Sequence, residues 1–373
     1  MTIPSYLRMP NLLSHWRWKG RLNPLREEVA AEGNAWFRSF TPFEPKSQRA
    51  FDLCNFGLFS GLLLPDAPRE HLRTGLDLLN LFFIIDEYTD VQPSHVVGEM
   101  MGACIDAMRN PTKPRPEGEV ILAEMVRQFW ERALSFSTPL GAEWFVEVFT
   151  EYLSSVVEVA EWRDRGSPEL TLEEYVAIRI KDVGVLPTQA IGGLYFSIPE
   201  AVFADPTVRE AMRIGCELTM IDNVSPSECN ETQPLKPLSY NVQDLTSYNR
   251  EQATGIGGFN LVTVVMHTFD LSLDGAVQWL EQRSDELTAS FDAHLAAVPS
   301  FSPEIDAQLQ MYLDHVGNVR RAVWDWSFAS GRYFGDRGPE YARTGLVPLL
   351  PKKGQSCEDS IKVLSMEEEL AKL

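Results

Sequence analysis

Histidine and cysteine are scarce in this sequence, and neither is patterned. Six histidines are scattered through 373 residues. None shows metal-ligand spacing, which argues against a zinc centre. Five cysteines, Cys54, Cys104, Cys216, Cys229 and Cys357, form no CxxC and no regular series. An odd, sparse set reads as reduced thiols in a cytoplasmic protein rather than a disulfide frame. Positive charge is also short: 33 Lys and Arg against 53 Asp and Glu leave a net charge of −20. Such a chain repels nucleic acid and anionic membrane, so neither is expected as a partner. Holding an anionic substrate would need metal cations or a few focused arginines. No stretch approaches the roughly 18 to 20 apolar residues of a membrane span. The opening residues, MTIPSYLRMPNLLSHWRWKGRLNP, hold no long apolar segment of a signal peptide.

Alternating strands with Asn-Gly or Asp-Gly turns are missing as well, as are internal repeats and low-complexity tracts. Helical periodicity is what remains. Residues 75–88, 98–109, 124–136, 142–162, 171–194, 206–222, 260–270, 273–298 and 304–328 all place apolar residues three or four apart. Ser, Thr, Asp or Pro precedes several of these spans, as helix starts require. The reading is one all-α domain over residues 1–355, about ten helices around a shared core, followed by a charged tail at 356–373.

The run LDLLNLFFIIDEYTD, Leu76 to Asp90, is oily and then abruptly acidic. At about 100° per residue, Asp86 and Asp90 fall on one helix face, a turn apart. Carboxylates at a helix C-terminus oppose its dipole and are costly beside a core, so a cation should compensate them. Clustered hard oxygens suit Mg²⁺. A solvated helix end is the plainer alternative.

The stretch MIDNVSPSECNETQPLKPLSYNVQDLTSYNREQ (220–252) repeats one pattern. Asn223, Ser227 and Glu231 stand at i, i+4, i+8, and so do Gln243, Ser247 and Glu251. Pro226 spoils the first set, and the second begins with Gln. Removing residues 224–243 joins Asn223 directly to DLTSYNREQ, which stacks Asn223, Ser247 and Glu251 oxygens on one helical face. That block holds Pro226, Pro234 and Pro237. It starts with Val, whose codons all begin GT, and ends with Gln, one of whose codons is CAG. The sequence points to a retained intron translated in frame; a surface loop between two helices is the alternative.

Together these residues resemble the basidiomycete class I sesquiterpene synthases, over nearly the whole chain. WRWKGRLNP and the run from Ala50 through FDLCNFGL look like the family's N-terminal helices. DEYTD (Asp86–Asp90) matches its D-(D/E)-x-x-D motif. DLTSYNREQ matches the second half of its N-D-x-x-S-x-x-x-E motif, with Asn223 supplying the first residue if the insert is looped or spliced out. SFASGRYFG carries its Arg-Tyr pair, Arg332 and Tyr333.

The resemblance implies an α-helical barrel that ionises and cyclises farnesyl diphosphate with three Mg²⁺ ions. In it Asp86 would hold two ions, helped by Glu87 or Asp90, and Asn223, Ser247 and Glu251 the third. Arg250, Arg332 and Tyr333 would bind diphosphate. By spacing to Gly184, Ile180 occupies the place of a further diphosphate arginine, for which Arg179 or Lys181 could substitute. The residues alone also allow Arg179 a surface ion pair with Glu173 or Glu174. Phe82, Phe83, Trp324 and Trp326 are candidates for facing a carbocation, or for ordinary core. The detail is most like the branch making 1,11-cyclised products such as Δ6-protoilludene. Two rivals remain: a catalytically impaired relative, which the insert and Ile180 favour, and a chain-elongating prenyltransferase. The latter class usually carries a second Asp-rich motif where this chain has DLTSYNREQ.

Overall fold

The computed structural model describes residues 6–221 and 259–348. The order is β1 (Tyr6–Arg8), α1 (Arg26–Ser39), α2 (Pro45–Asp52), α3 (Phe56–Leu63), α4 (Arg69–Thr89), α5 (Ser94–Arg109), α6 (Ile121–Leu134), α7 (Pro139–Asp164), α8 (Leu172–Asp182), α9 (Val185–Ile191), α10 (Glu200–Phe203) and α11 (Pro206–Ile221). After the break come α12 (Leu261–Phe269), α13 (Leu273–Ala297), α14 (Pro303–Ala329), α15 (Gly338–Thr344) and β2 (Leu346–Pro348). One hydrophobic cluster runs through all of it, from Leu7 to Val347.

The architecture is all-α, as the periodicity implies. α4 is its axis: every residue from His71 to Thr89 is buried, because α1, α3, α6 and α9 pack around it. A helix apolar on all sides needs such surroundings. α11 lies against α8, α9, α13 and α14. Side-chain caps fix several starts: Thr138 accepts from Gly141 N at 3.0 Å beside Pro139 at the first turn, and Thr171 with Glu174 forms a capping box. Among the described residues no helix is long and apolar enough to cross a membrane. Cys54, Cys104 and Cys216 are buried thiols.

Three expectations are corrected. The span 171–194 is two helices, broken at Gly184, whose φ of +70° is left-handed. The Phe82 ring lies 3.3 Å from where a Cβ would stand there, so a side chain would be strained and crowded. WRWKGRLNP is not helical. It lies along α14, with Trp16 Nε1 donating to Gly317 O at 3.0 Å and Arg320 stacked 4.5 Å over the Trp16 ring. Two three-residue strands also exist, pairing antiparallel with Leu7 opposite Val347. They are too short for alternation to show in the sequence. The proposed insert 224–243 and the tail 356–373 lie outside the described residues.

Candidate active site

α4 delivers its carboxylates into the interior rather than into solvent. Asp86 is 0% exposed and Glu87 6%; the Asp90 side chain is 4% exposed. The helix closes normally here, with Asp90 N donating to Asp86 O at 3.0 Å and Thr89 Oγ1 to Ile85 O at 2.9 Å. Among the described residues, Arg163 on α7 is one cation that meets this helix end. Its guanidinium donates to Thr89 O at 2.8 Å and lies 3.8 Å from Asp90 Oδ1. It therefore offsets both the negative helix end and one carboxylate. The solvated-end alternative fails on this burial.

Arg179 is buried too, and its partner is neither Glu173 nor Glu174. It donates to Asp182 Oδ2 at 2.8 Å, with both side chains at most 2% exposed. Phe259 lies 5.7 Å from its guanidinium. Glu174 is occupied by the Thr171 cap. The neighbouring Ile180 packs against the core, so of these two residues it is Arg179 that brings a charge inward. The Asp182 partner is an i,i+3 neighbour on the same helix face.

Tyr152 on α7 joins these two acidic elements. Its ring meets Phe82 edge-on at 4.9 Å. Burial, and then the carboxylates of Asp86, Asp182 and Asp90, push its hydroxyl well above the ordinary tyrosine range. That hydroxyl is buried and has no hydrogen-bond partner among the described residues. Buried carboxylates together with an unsatisfied phenol make a hard-oxygen environment that fits Mg²⁺. No group of three or more His, Cys, Asp or Glu among the described residues forms a metal site by itself. Asn223, Ser247, Glu251 and Arg250 lie outside the described residues, as does Gln243.

Arg332 approaches α4 from the end of α14. Its guanidinium lies 4.4 Å over the Phe83 ring and donates from Nη1 to Cys54 Sγ at 3.3 Å. Phe83 and Asp86 share a helix face, so a guanidinium stacks on α4 about a turn before Asp86. Tyr333 is 4% exposed and packs edge-on against Trp326 at 5.6 Å. The loop before α3 is stitched to this corner: Gly331 N donates to Leu53 O at 3.1 Å and Trp326 Nε1 to Cys54 O at 2.6 Å. Trp326 is core, stacked on Phe59 at 4.4 Å. Trp324 packs on Phe328 at 5.1 Å. Phe82 packs on Phe149 and Tyr152, and Phe83 on Phe56 and Trp326.

Asp86 and Asp90 thus end α4, Arg332 stacks on its Phe83, Tyr333 packs on Trp326 and Arg179 pairs with Asp182 on α8. Sequence reasoning missed Arg163, Asp182 and Tyr152. The Arg179-to-Asp182 spacing was a usable signal; Arg163 and Tyr152 had none, since only the packing of α7 brings them here.

Residues 77–289 match the family model described as terpene synthase family 2, C-terminal metal binding. The chain is 44% identical over 347 residues to Δ6-protoilludene synthase 18 of Postia placenta, covering 93% of each chain. It is 35% identical over 345 residues to Δ6-protoilludene synthase of Armillaria gallica, covering 92% of this chain and 94% of that one. Among solved structures, α-eudesmol synthase superposes with a TM-score of 0.71 at 15% identity, over 84% of this chain and 98% of that one. That last likeness is one of fold alone.

Proposed function

The chain belongs to the basidiomycete sesquiterpene synthases of terpene synthase family 2, and from that premise we propose that it ionises farnesyl diphosphate and cyclises the resulting carbocation. The products are diphosphate and a sesquiterpene hydrocarbon. The names of its relatives favour 1,11-cyclisation to a Δ6-protoilludene-like skeleton. One observation carries the reading. A single apolar helix ends in the buried Asp86 and Asp90, and one turn earlier its Phe83 ring bears the Arg332 guanidinium. On this reading the carboxylates take cations and the guanidinium, packed against the same helix, takes phosphate.

Asp86 and Asp90 would hold magnesium on this wall. Asn223, Ser247 and Glu251 would do so on the other, by their motif. Three such ions would neutralise the charge that grows on the departing diphosphate. Arg332, Tyr333, Arg250 and Arg179 would orient the diphosphate by charge-assisted hydrogen bonds. Arg179 is restrained by Asp182, so its direction is set before substrate arrives. Once the diphosphate has left, the cation must be kept from water. The Phe82 and Phe83 faces beside the acidic end stabilise it without attacking it.

The test is incubation with farnesyl diphosphate and Mg²⁺, read by gas chromatography. A cyclic hydrocarbon is expected, and Asp86→Asn should lower its rate by about a hundredfold or more, the scale of losing one preorganised electrostatic group. Glu251→Gln should lower turnover and raise the Mg²⁺ requirement. Undiminished activity in Asp86→Asn would remove this helix end from the chemistry.

A further inference from the structure

The last two residues of α7, Arg163 and Asp164, carry opposite charges and meet opposite helix ends. They stand about 100° apart on their helix, so they reach different neighbours. Arg163 Nη2 donates to Thr89 O at 2.8 Å and to Gln92 O at 3.5 Å, at the negative end of α4. Its Nη1 lies 3.8 Å from Asp90 Oδ1. Asp164 Oδ2 accepts from Ser94 N at 2.8 Å, at the positive start of α5. That helix follows Pro93, which supplies no side-chain cap, so Asp164 caps it from another helix. Between the two ties runs the turn 90–93. Apolar burial does little to hold it, since Val91 is 56% exposed. The end of α7 is itself anchored, because Trp162 Nε1 donates to Pro168 O at 2.9 Å in the turn leading to α8.

We propose that Arg163 and Asp164 are positioning residues for the cation site: together they fix the turn after α4, and with it the last helical turn that carries Asp86 and Asp90. This rests on the reading of those two aspartates as metal ligands. The distances separate the role from charge neutralisation alone. Arg163 makes its short contact with a backbone carbonyl, while its Nη1 stands beyond hydrogen-bond distance of Asp90 Oδ1. The guanidinium thus secures the helix end and does not take that oxygen from a metal. Asp164 acts through Ser94, four residues past Asp90, so its effect on a metal ligand passes through the backbone. An orienting group of this kind tunes a metal site without touching the metal.

The test is Mn²⁺ binding by the full chain in the presence of inorganic diphosphate, read by electron paramagnetic resonance. Arg163→Gln should weaken it about tenfold, the low end for loss of a group that orients a metal ligand. Asp164→Ala removes one exposed side chain and should weaken it too. Asp164→Asn loses the charge but keeps a capping oxygen, and should bind as the parent does. If Arg163→Gln binds Mn²⁺ as tightly as the parent or tighter, the guanidinium only competes for the carboxylates and the inference is overturned. Parent-like binding by Asp164→Ala overturns it as well, as does an equal loss in Asp164→Ala and Asp164→Asn, which would reduce Asp164 to its charge. A lower melting temperature with unchanged Mn²⁺ affinity would make both residues purely structural. Asp86→Asn is the control. If it abolishes Mn²⁺ binding while the α7 variants bind like the parent, the positioning role is wrong and the metal reading stands. If Asp86→Asn binds Mn²⁺ as the parent does, the metal reading itself fails.

Discussion

Acid should unfold this protein from the end of the bundle far from its acidic site, and His71 sets the scale. His71 lies in the first turn of α4 and is 1% exposed. Its Nε2 is 2.6 Å from Ile191 O, so the neutral ring donates there. Burial, with a smaller push from His315, lowers its pKa from 6.5 to about 4, the carbonyl bond opposing. In the unfolded chain the same ring titrates near 6.5. Between those values the unfolded state binds more protons than the folded state. The stabilisation is therefore complete above about pH 6.5 and is lost as pH falls toward 4. At roughly 1.4 kcal/mol per pKa unit, the whole window is worth about 3 kcal/mol, and the step from pH 7 to pH 5 about 2 kcal/mol. Glutamine at this position keeps an N–H toward Ile191 and does not titrate. Urea unfolding of the parent and of His71→Gln at pH 7 and pH 5 isolates the term, because carboxylate contributions are common to both. The parent should lose about 2 kcal/mol more than the variant. Equal losses in the two proteins would refute the argument. His315 is also lowered by burial, with Nε2 2.9 Å from Thr188 O, so it adds to the background slope in both.

Two further outcomes are expected. Gly184→Ala puts a side chain at φ +70° and a Cβ 3.3 Å from the Phe82 ring; it should cost about 1–2 kcal/mol in urea unfolding, and an unchanged midpoint would show that the α8–α9 break relaxes freely. Deleting residues 224–243 should raise hydrocarbon yield from farnesyl diphosphate strongly over the 373-residue chain, and amplified cDNA across codons 215–255 should lack 60 nucleotides; equal yields would show the insert to be harmless.

What the sequence displays best is what a single helix determines. The run from Leu76 to Ile85 can be nothing but buried, and Asp86 to Asp90 must then meet something cationic. The burial of Asp86 and the approach of Arg163 bear out that requirement. Arg163 itself was invisible, because no spacing links residue 163 to residue 90 until α7 packs beside α4. Tyr152 escaped for the same reason. The break at Gly184 was hidden by a different cause: apolar spacing continues through Val183, Val185 and Leu186, so periodicity overrode the one residue able to take a positive φ. The segment at Trp16 misled in the opposite sense. Trp16 is buried and Trp18 half-buried, as on a helix face, yet what they cover is the α14 surface at Gly317.

Charge at the acidic end bears on how a cation would bind there. Asp86 and Glu87 are buried here, Asp90 faces Arg163 and Asp182 faces Arg179, while Arg332 lies over the Phe83 ring. Two of those guanidiniums are already committed, Arg179 to Asp182 and Arg163 to Asp90 and the α4 carbonyls. An incoming diphosphate would bring several more negative charges into an interior of low dielectric, where repulsion is far stronger than in water. Arg332 alone does not offset that. On the proposed reading, binding of the substrate is expected to be coupled to the uptake of divalent cations. Diphosphate affinity should accordingly collapse when magnesium is chelated and return when it is restored. Titration calorimetry showing metal-independent diphosphate binding would mean that these carboxylates face away from the substrate.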